Sequence, residues 1–123
     1  MMPKDKFDLA TVENLKQAQA EAVLPNLPQM LEWIKNLNWP VAEPMIEVLL
    51  HYPTEVTPYV EGILQGNDDE WIYNCLVAIV PRLPFFSKLV LVNAVEQLAT
   101  KDVTAQNEHI VEAAKQALQS MEP

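Results

Sequence analysis

The stretch NLNWPVAEP, residues 36–44, decides how this chain is built. A proline disfavours helical geometry at the residue before it, so any helix running into this stretch must end before Trp39. Pro40 itself suits the first position of a new helix, where a backbone N–H has no partner anyway. Asn38-Trp39-Pro40 therefore reads as a tight corner between two helices. The indole of Trp39 is expected to plug the gap between them.

On the far side of that corner, Val41 to Tyr52 is apolar almost all round. Val41, Ala42, Met45, Ile46, Val48, Leu49 and Tyr52 fill a wide arc at helical spacing, leaving a narrow polar strip of Glu43, Glu47 and His51. A helix of this composition belongs between neighbours, in the core. Pro53 stops it. On the near side, LPNLPQMLEWIKNLN carries Leu27, Met30, Leu31 and Ile34 on one line, with Pro25 and Pro28 suited to its first turn.

Further out the same logic yields seven helices. Asp8 is placed to cap a first one whose Leu9, Val12 and Leu15 face inward. A fourth, short helix turns Val60, Ile63 and Leu64 inward and ends near Gly66 as a C-terminal cap, a place where glycine usually takes a left-handed conformation. Asn67, Asp68 and Asp69 open a fifth, EWIYNCLVAIV, where carboxylates suit the positive end of the helix dipole. Leu91, Ala94, Val95 and Leu98 define a sixth. Ile110, Ala114, Ala117, Leu118 and Met121 define a seventh, capped by Thr104 or Asn107. With only two glycines and no hairpin turn signal, strands are not expected.

Residues 27–53 lie over residues 57–84, with Pro28 on Pro58, Asn38 on Asp68, Pro40 on Trp71 and Pro53 on Pro84. The period is about 30 residues, each unit being helix, polar corner, apolar helix and proline. This resembles a HEAT repeat. The resemblance implies a single all-α domain over 1–123, a right-handed stack of about three helical hairpins of HEAT or armadillo type, with the third, fifth and seventh helices inside. The basic residue often found early in such inner helices is missing, since Ala42 and Tyr73 stand there.

PKDKFD, LEWIKNLNWPVA and DDEWIYNCL together resemble a bacterial family of uncharacterised proteins, domain of unknown function 5071. The matching positions run from Pro3, Asp5, Lys6 and Asp8 through Asn38, Trp39, Pro40 and Val41 to Trp71 and Tyr73. The resemblance implies a fold and no activity. Small families of this kind are often encoded among toxin–immunity genes.

Composition narrows the function further. The net charge is −9, and between Lys35 and Arg82 there is no basic residue but seven acids: Glu43, Glu47, Glu55, Glu61, Asp68, Asp69 and Glu70. Such a surface repels phosphate backbones, which makes nucleic acid a poor partner and a basic protein a better one. No apolar run reaches the roughly 18 residues of a membrane span. The charged start MMPKDKFDLA does not look like a signal peptide, and the lone Cys75 fits a reducing cytoplasm.

Catalysis is not expected. There are two serines and one cysteine, and Cys75 sits among Ile72, Leu76 and Ile79 as a buried thiol. Glu43, Glu47 and His51 could form one edge of a cation site, yet no Glu-x-x-His or Cys-x-x-Cys supplies a second edge, so neither metal nor cofactor is expected. Trp39, Glu43, Glu47, His51, Glu70, Trp71 and Tyr73 are the candidate partner-binding residues. For Trp39 and Trp71, packing and recognition both remain open. The expectation is a non-enzymatic protein-interaction module, an immunity-type inhibitor being one form. A self-associating structural subunit and a HEAT-like enzyme acting on nucleic acid are the alternatives.

Overall fold

Asp8 opens the first helix as expected: its carboxylate accepts from the Thr11 backbone N–H at 3.2 Å and from the Thr11 hydroxyl at 2.6 Å. The computed structural model describes residues 1–122 and is all-α over them, with no strand. The helices are α1 (Leu9–Gln17), α2 (Ala20–Val23), α3 (Leu27–Glu32), α4 (Ala42–Leu49), α5 (Pro53–Leu64), α6 (Asp69–Ala78), α7 (Phe85–Ala99) and α8 (Glu108–Gln119). All seven expected helices are present, and α2 adds a single turn. Short 3-10 turns occupy Leu24–Asn26 and Val80–Arg82, each with a proline in its first positions.

The 36–44 corner is longer than the proline rule requires. Helix α3 ends at Glu32, and the N–H groups of Trp33, Ile34 and Lys35 turn back to carbonyls three residues earlier, at 3.1, 3.2 and 3.3 Å. Asn36 then accepts the Asn38 N–H through its side chain at 2.9 Å, a local turn that competes with helix. Pro40 does not open α4, which starts two residues later. The Val41 N–H instead donates to the carbonyl of Lys6 at 3.2 Å, tying the corner to the N-terminal segment. Trp39 is half-buried, with its ring edge-on to Trp33 at 6.0 Å. It fills the corner.

Helix α4 is a core element, with Ala42, Met45, Ile46, Val48 and Leu49 buried. It ends at Leu49 rather than Tyr52, because His51 and Tyr52 close tighter bonds to Val48 and Leu49, both 3.0 Å, ahead of Pro53. Pro53 is the first residue of α5, and Pro58 lies inside that helix. Pro28 and Pro58 therefore hold different places in their helices, although the sequence superposes them.

Three hairpins follow one another: α3 with α4, α5 with α6, and α7 with α8. Helices α3, α5 and α7 pack side by side in one row. In the second row α6 packs closely on α8, whereas α4 turns most of its buried surface to α1 and α3. Two sequence expectations need correction. Leu9 is exposed, because the first turn of α1 lies at the rim of a depression beside Pro44 and Glu47 instead of over the core. Gly66 follows α5 without a left-handed conformation; a side chain there would press on the Ile63 carbonyl at 3.3 Å, and that close approach accounts for the glycine.

Candidate functional site

Helix α6 is placed against the α3–α4 connection by three side chains that reach back over about forty residues. The Trp71 indole N–H donates to the Leu31 carbonyl at 2.9 Å, and the Asn74 amide donates to the Ile34 carbonyl at 2.9 Å. Beyond the end of α6, Arg82 meets Glu43 at 2.8 Å. The chain from Leu31 to Glu43 thus runs alongside α6 in the same direction. The segment beyond Glu32 is thereby tied to α6: the Leu31 carbonyl, which already accepts the Ile34 N–H, gains a second donor, and the Ile34 carbonyl finds its donor on α6. The signal was Asn74, an amide inside an otherwise apolar helix, and sequence reasoning passed over it.

Trp71 also carries Lys35 over its ring, with the ammonium 4.4 Å from the ring centroid. That pair stands as a ridge between two depressions. On one side, Met2, Gln29, Glu32, Trp33, Lys35 and Trp39 border a shallow hollow. On the other, Pro28, Leu31, Tyr59, Gly62, Ile63 and Trp71 line an apolar groove of about 300 Å³, with Gly66, Asn67 and Asp68 at its edge. Tyr59 is 44% exposed, and the backbone of Gly62 leaves open space where a side chain would project. Two aromatic side chains, two glycines and a carboxylate therefore share one groove.

Asp68 holds that edge in place. It caps α6, its carboxylate accepting from the Trp71 N–H at 3.1 Å, and Asp69 and Glu70 follow in the first turn. Glu70 is exposed. Among the sequence candidates, Trp39, Glu70 and Trp71 accordingly lie around the end of α3 and the start of α6. Glu43 does not join them. It is bound to Arg82 beyond the opposite end of α6, about 15 Å away at 1.5 Å per residue. Glu47 is exposed one turn further, beside Leu9 and Lys16. His51 is exposed and lies past the end of α4, so the strip of three side chains on one helix is only two. Tyr73 is half-buried with its ring centroid 5.3 Å from that of His109, a contact that joins α6 to α8.

Cys75 is fully buried, and burial alone pushes its thiol up to about 12. Among the described residues no group of three His, Cys, Asp or Glu side chains is gathered as metal ligands, and no helix is long and apolar enough to cross a membrane. Sequence reasoning missed Tyr59 and Gly62, since an exposed tyrosine and a helical glycine carry no periodic signal. It also missed the outer face of α7. Among curated proteins none matches the chain. A family model covers residues 1–121, and the chain belongs to the family that it describes, Domain of unknown function (DUF5071).

Proposed function

We propose that this protein is a non-enzymatic docking domain whose groove between α3, α5 and the start of α6 receives an apolar side chain from a basic partner protein. The observation that carries the reading is the groove itself: an apolar floor with Tyr59 and Trp71 beside it and Asp68 at its edge. Aromatic residues beside a desolvated pocket are the usual anchors of protein interfaces, and rim charges select and steer the partner. The partner's charge follows from the surroundings. Asp68, Asp69 and Glu70 stand together, and between Lys35 and Arg82 the chain has no lysine or arginine. A HEAT-like stacking of the hairpins and a cytoplasmic setting agree with this role, and an immunity-type inhibitor of a basic protein is one form of it.

The test uses the full chain and an array of short peptides carrying Leu, Met or Phe between lysines or arginines, with acidic-flanked peptides as controls. Binding should favour the basic-flanked set. It should be lost in Gly62→Leu, whose side chain enters the groove from open space without displacing the fold. Equal binding to both sets, or binding that survives Gly62→Leu, would refute the reading.

A further inference from the structure

Helix α7 is apolar on two faces and uses only one of them. Leu91, Ala94, Val95 and Leu98 are buried against the rest of the chain. Phe85, Phe86, Leu89 and Val90 lie one turn apart in pairs on the outside, each at least 50% exposed. An apolar face of this kind on a soluble helix marks a contact not made within the chain. Beside it, Thr54, Thr57, Pro58, Phe86, Ser87 and Val90 enclose a hollow of about 100 Å³ with almost wholly apolar walls. A water occupies about 30 Å³ in the liquid, so the hollow is of the order of one aliphatic side chain.

We propose that this face binds a second copy of the same chain, the two related by a two-fold axis. A two-fold contact must be self-complementary: whatever protrudes from one copy needs a recess on the same patch of the other. The α7 face has both. Phe85 and Leu89 protrude, and the hollow lined by Phe86 and Val90 lies next to them.

Charge points to the same occupant. Two chains of net charge −9 repel one another over most of their surface, but there is no acid between Glu70 and Glu96. The two bases of that span are engaged within the chain: Arg82 binds Glu43 and Lys88 donates to the Ser120 carbonyl at 3.0 Å. Helix α7 itself offers a basic partner no carboxylate, and it offers an anionic membrane only Lys88, whose ammonium is turned to the Ser120 carbonyl.

The area sets the strength. The two half-exposed phenylalanines contribute roughly 200 Å² and Leu89 with Val90 about as much again, given 150–250 Å² for a fully buried aromatic. Two copies with the rim of Thr54 and Pro58 then cover on the order of 1,000 Å², below the standard interface of about 1,600 Å². The pair is therefore weak and reversible.

Sedimentation of the full chain should show one chain's mass at about 1 µM and a rise towards two chains at about 1 mM, the range of a small, transient contact. Leu89→Glu should hold the protein monomeric throughout with an unchanged melting temperature, because the side chain is exposed. Thr54→Phe, which fills the hollow from its exposed rim, should do the same. Val103→Glu, exposed elsewhere, should leave the dimer intact. A chain that stays monomeric at the highest concentration overturns the proposal, as does a dimer indifferent to both Leu89→Glu and Thr54→Phe. A monomer that binds phosphatidylcholine vesicles through Leu89 overturns it in favour of a lipid surface.

Discussion

The indole N–H of Trp71 and the carbonyl of Leu31, 2.9 Å apart, join the start of one helix to the end of another forty residues earlier. The bond belongs with that of Asn74 to the Ile34 carbonyl, one turn further along α6. Together they fasten the segment that follows α3 to α6, one bond adding to the backbone turn at Leu31 and the other serving the Ile34 carbonyl. The corner at 36–44 is thus held from outside as well as by its own prolines.

Both donors should matter to stability, and by unequal amounts. Asn74 is buried, so Asn74→Ala leaves the Ile34 carbonyl without its partner and should cost about 1–3 kcal/mol. Trp71→Phe keeps most of the ring but loses the donor at a half-exposed site, and should cost nearer 1 kcal/mol. Thermal unfolding of the two single variants and the double variant checks this. Because both side chains hold the same short segment, the double variant should fall short of the sum.

Gly62 should show the opposite sign. It lies within α5, where glycine is a poor helix former, and a methyl group added there meets nothing within 4 Å. Gly62→Ala is expected to stabilise by about 0.5–1 kcal/mol, an amount readable as a shift of the denaturant midpoint at constant slope. Gly66→Ala should not, since its methyl would crowd the Ile63 carbonyl at 3.3 Å.

These two glycines mark how far the sequence could be read. Helical spacing located every long element because burial imposes the period, and Asp8 and Asp68 marked starts through fixed backbone chemistry, whereas Pro53 was read only as a stop and also begins α5. What escaped depends on pairs remote in sequence. The segment beyond α3 is tied to donors on α6, and the isolation of Glu43 from Glu70 needs the partner of Glu43 to be Arg82. The outer face of α7 was legible, since Phe85, Phe86, Leu89 and Val90 stand at helical spacing, but only the opposite line was read. The groove at Tyr59 and Gly62 depends on how α3 meets α5, which no local pattern encodes.

Asp8 should contribute to stability in a pH-dependent way. The Thr11 hydroxyl, and then the Lys4 backbone N–H, hold its carboxyl below the usual value of 3.8. A lowered pKa means that the folded state prefers the charged form. The contribution is therefore complete above the unfolded value and lost as pH falls through the lower folded one. Asp8→Asn should accordingly differ from the parent at neutral pH and converge with it in acid, as seen in melting temperatures across that range.

Cys75 should be inert while the protein is folded. Its thiol, pushed up to about 12 by burial, stays protonated at about pH 8, where a free cysteine near 8.5 is partly ionised and reactive. A disulfide-exchange reagent should titrate no thiol in the native protein and one after denaturation. Rapid native labelling would show that the α6 core opens easily.

The acidic residues should divide into two sets by position. Glu43 is bound to Arg82, both partly exposed, so Glu43→Gln should cost under about 1 kcal/mol, and less in high salt. Among the described residues Glu47 has no such partner, and Glu47→Lys should leave stability unchanged. Neither residue borders the groove. Glu70 stands beside it in the first turn of α6, exposed and free of hydrogen-bonding duties, whereas Asp68 is needed as the cap. If a basic peptide docks in the groove, Glu70→Lys should slow its association strongly at about 0.05 M salt and weakly at about 0.5 M, where screening shortens to a few ångströms. Glu47→Lys, at the other end of the molecule, should change that rate far less. Stopped-flow association of one basic-flanked peptide with the parent and the two variants separates these outcomes. Equal slowing by both would mean that net charge alone steers the partner, and that the edge of the groove has no special part in it.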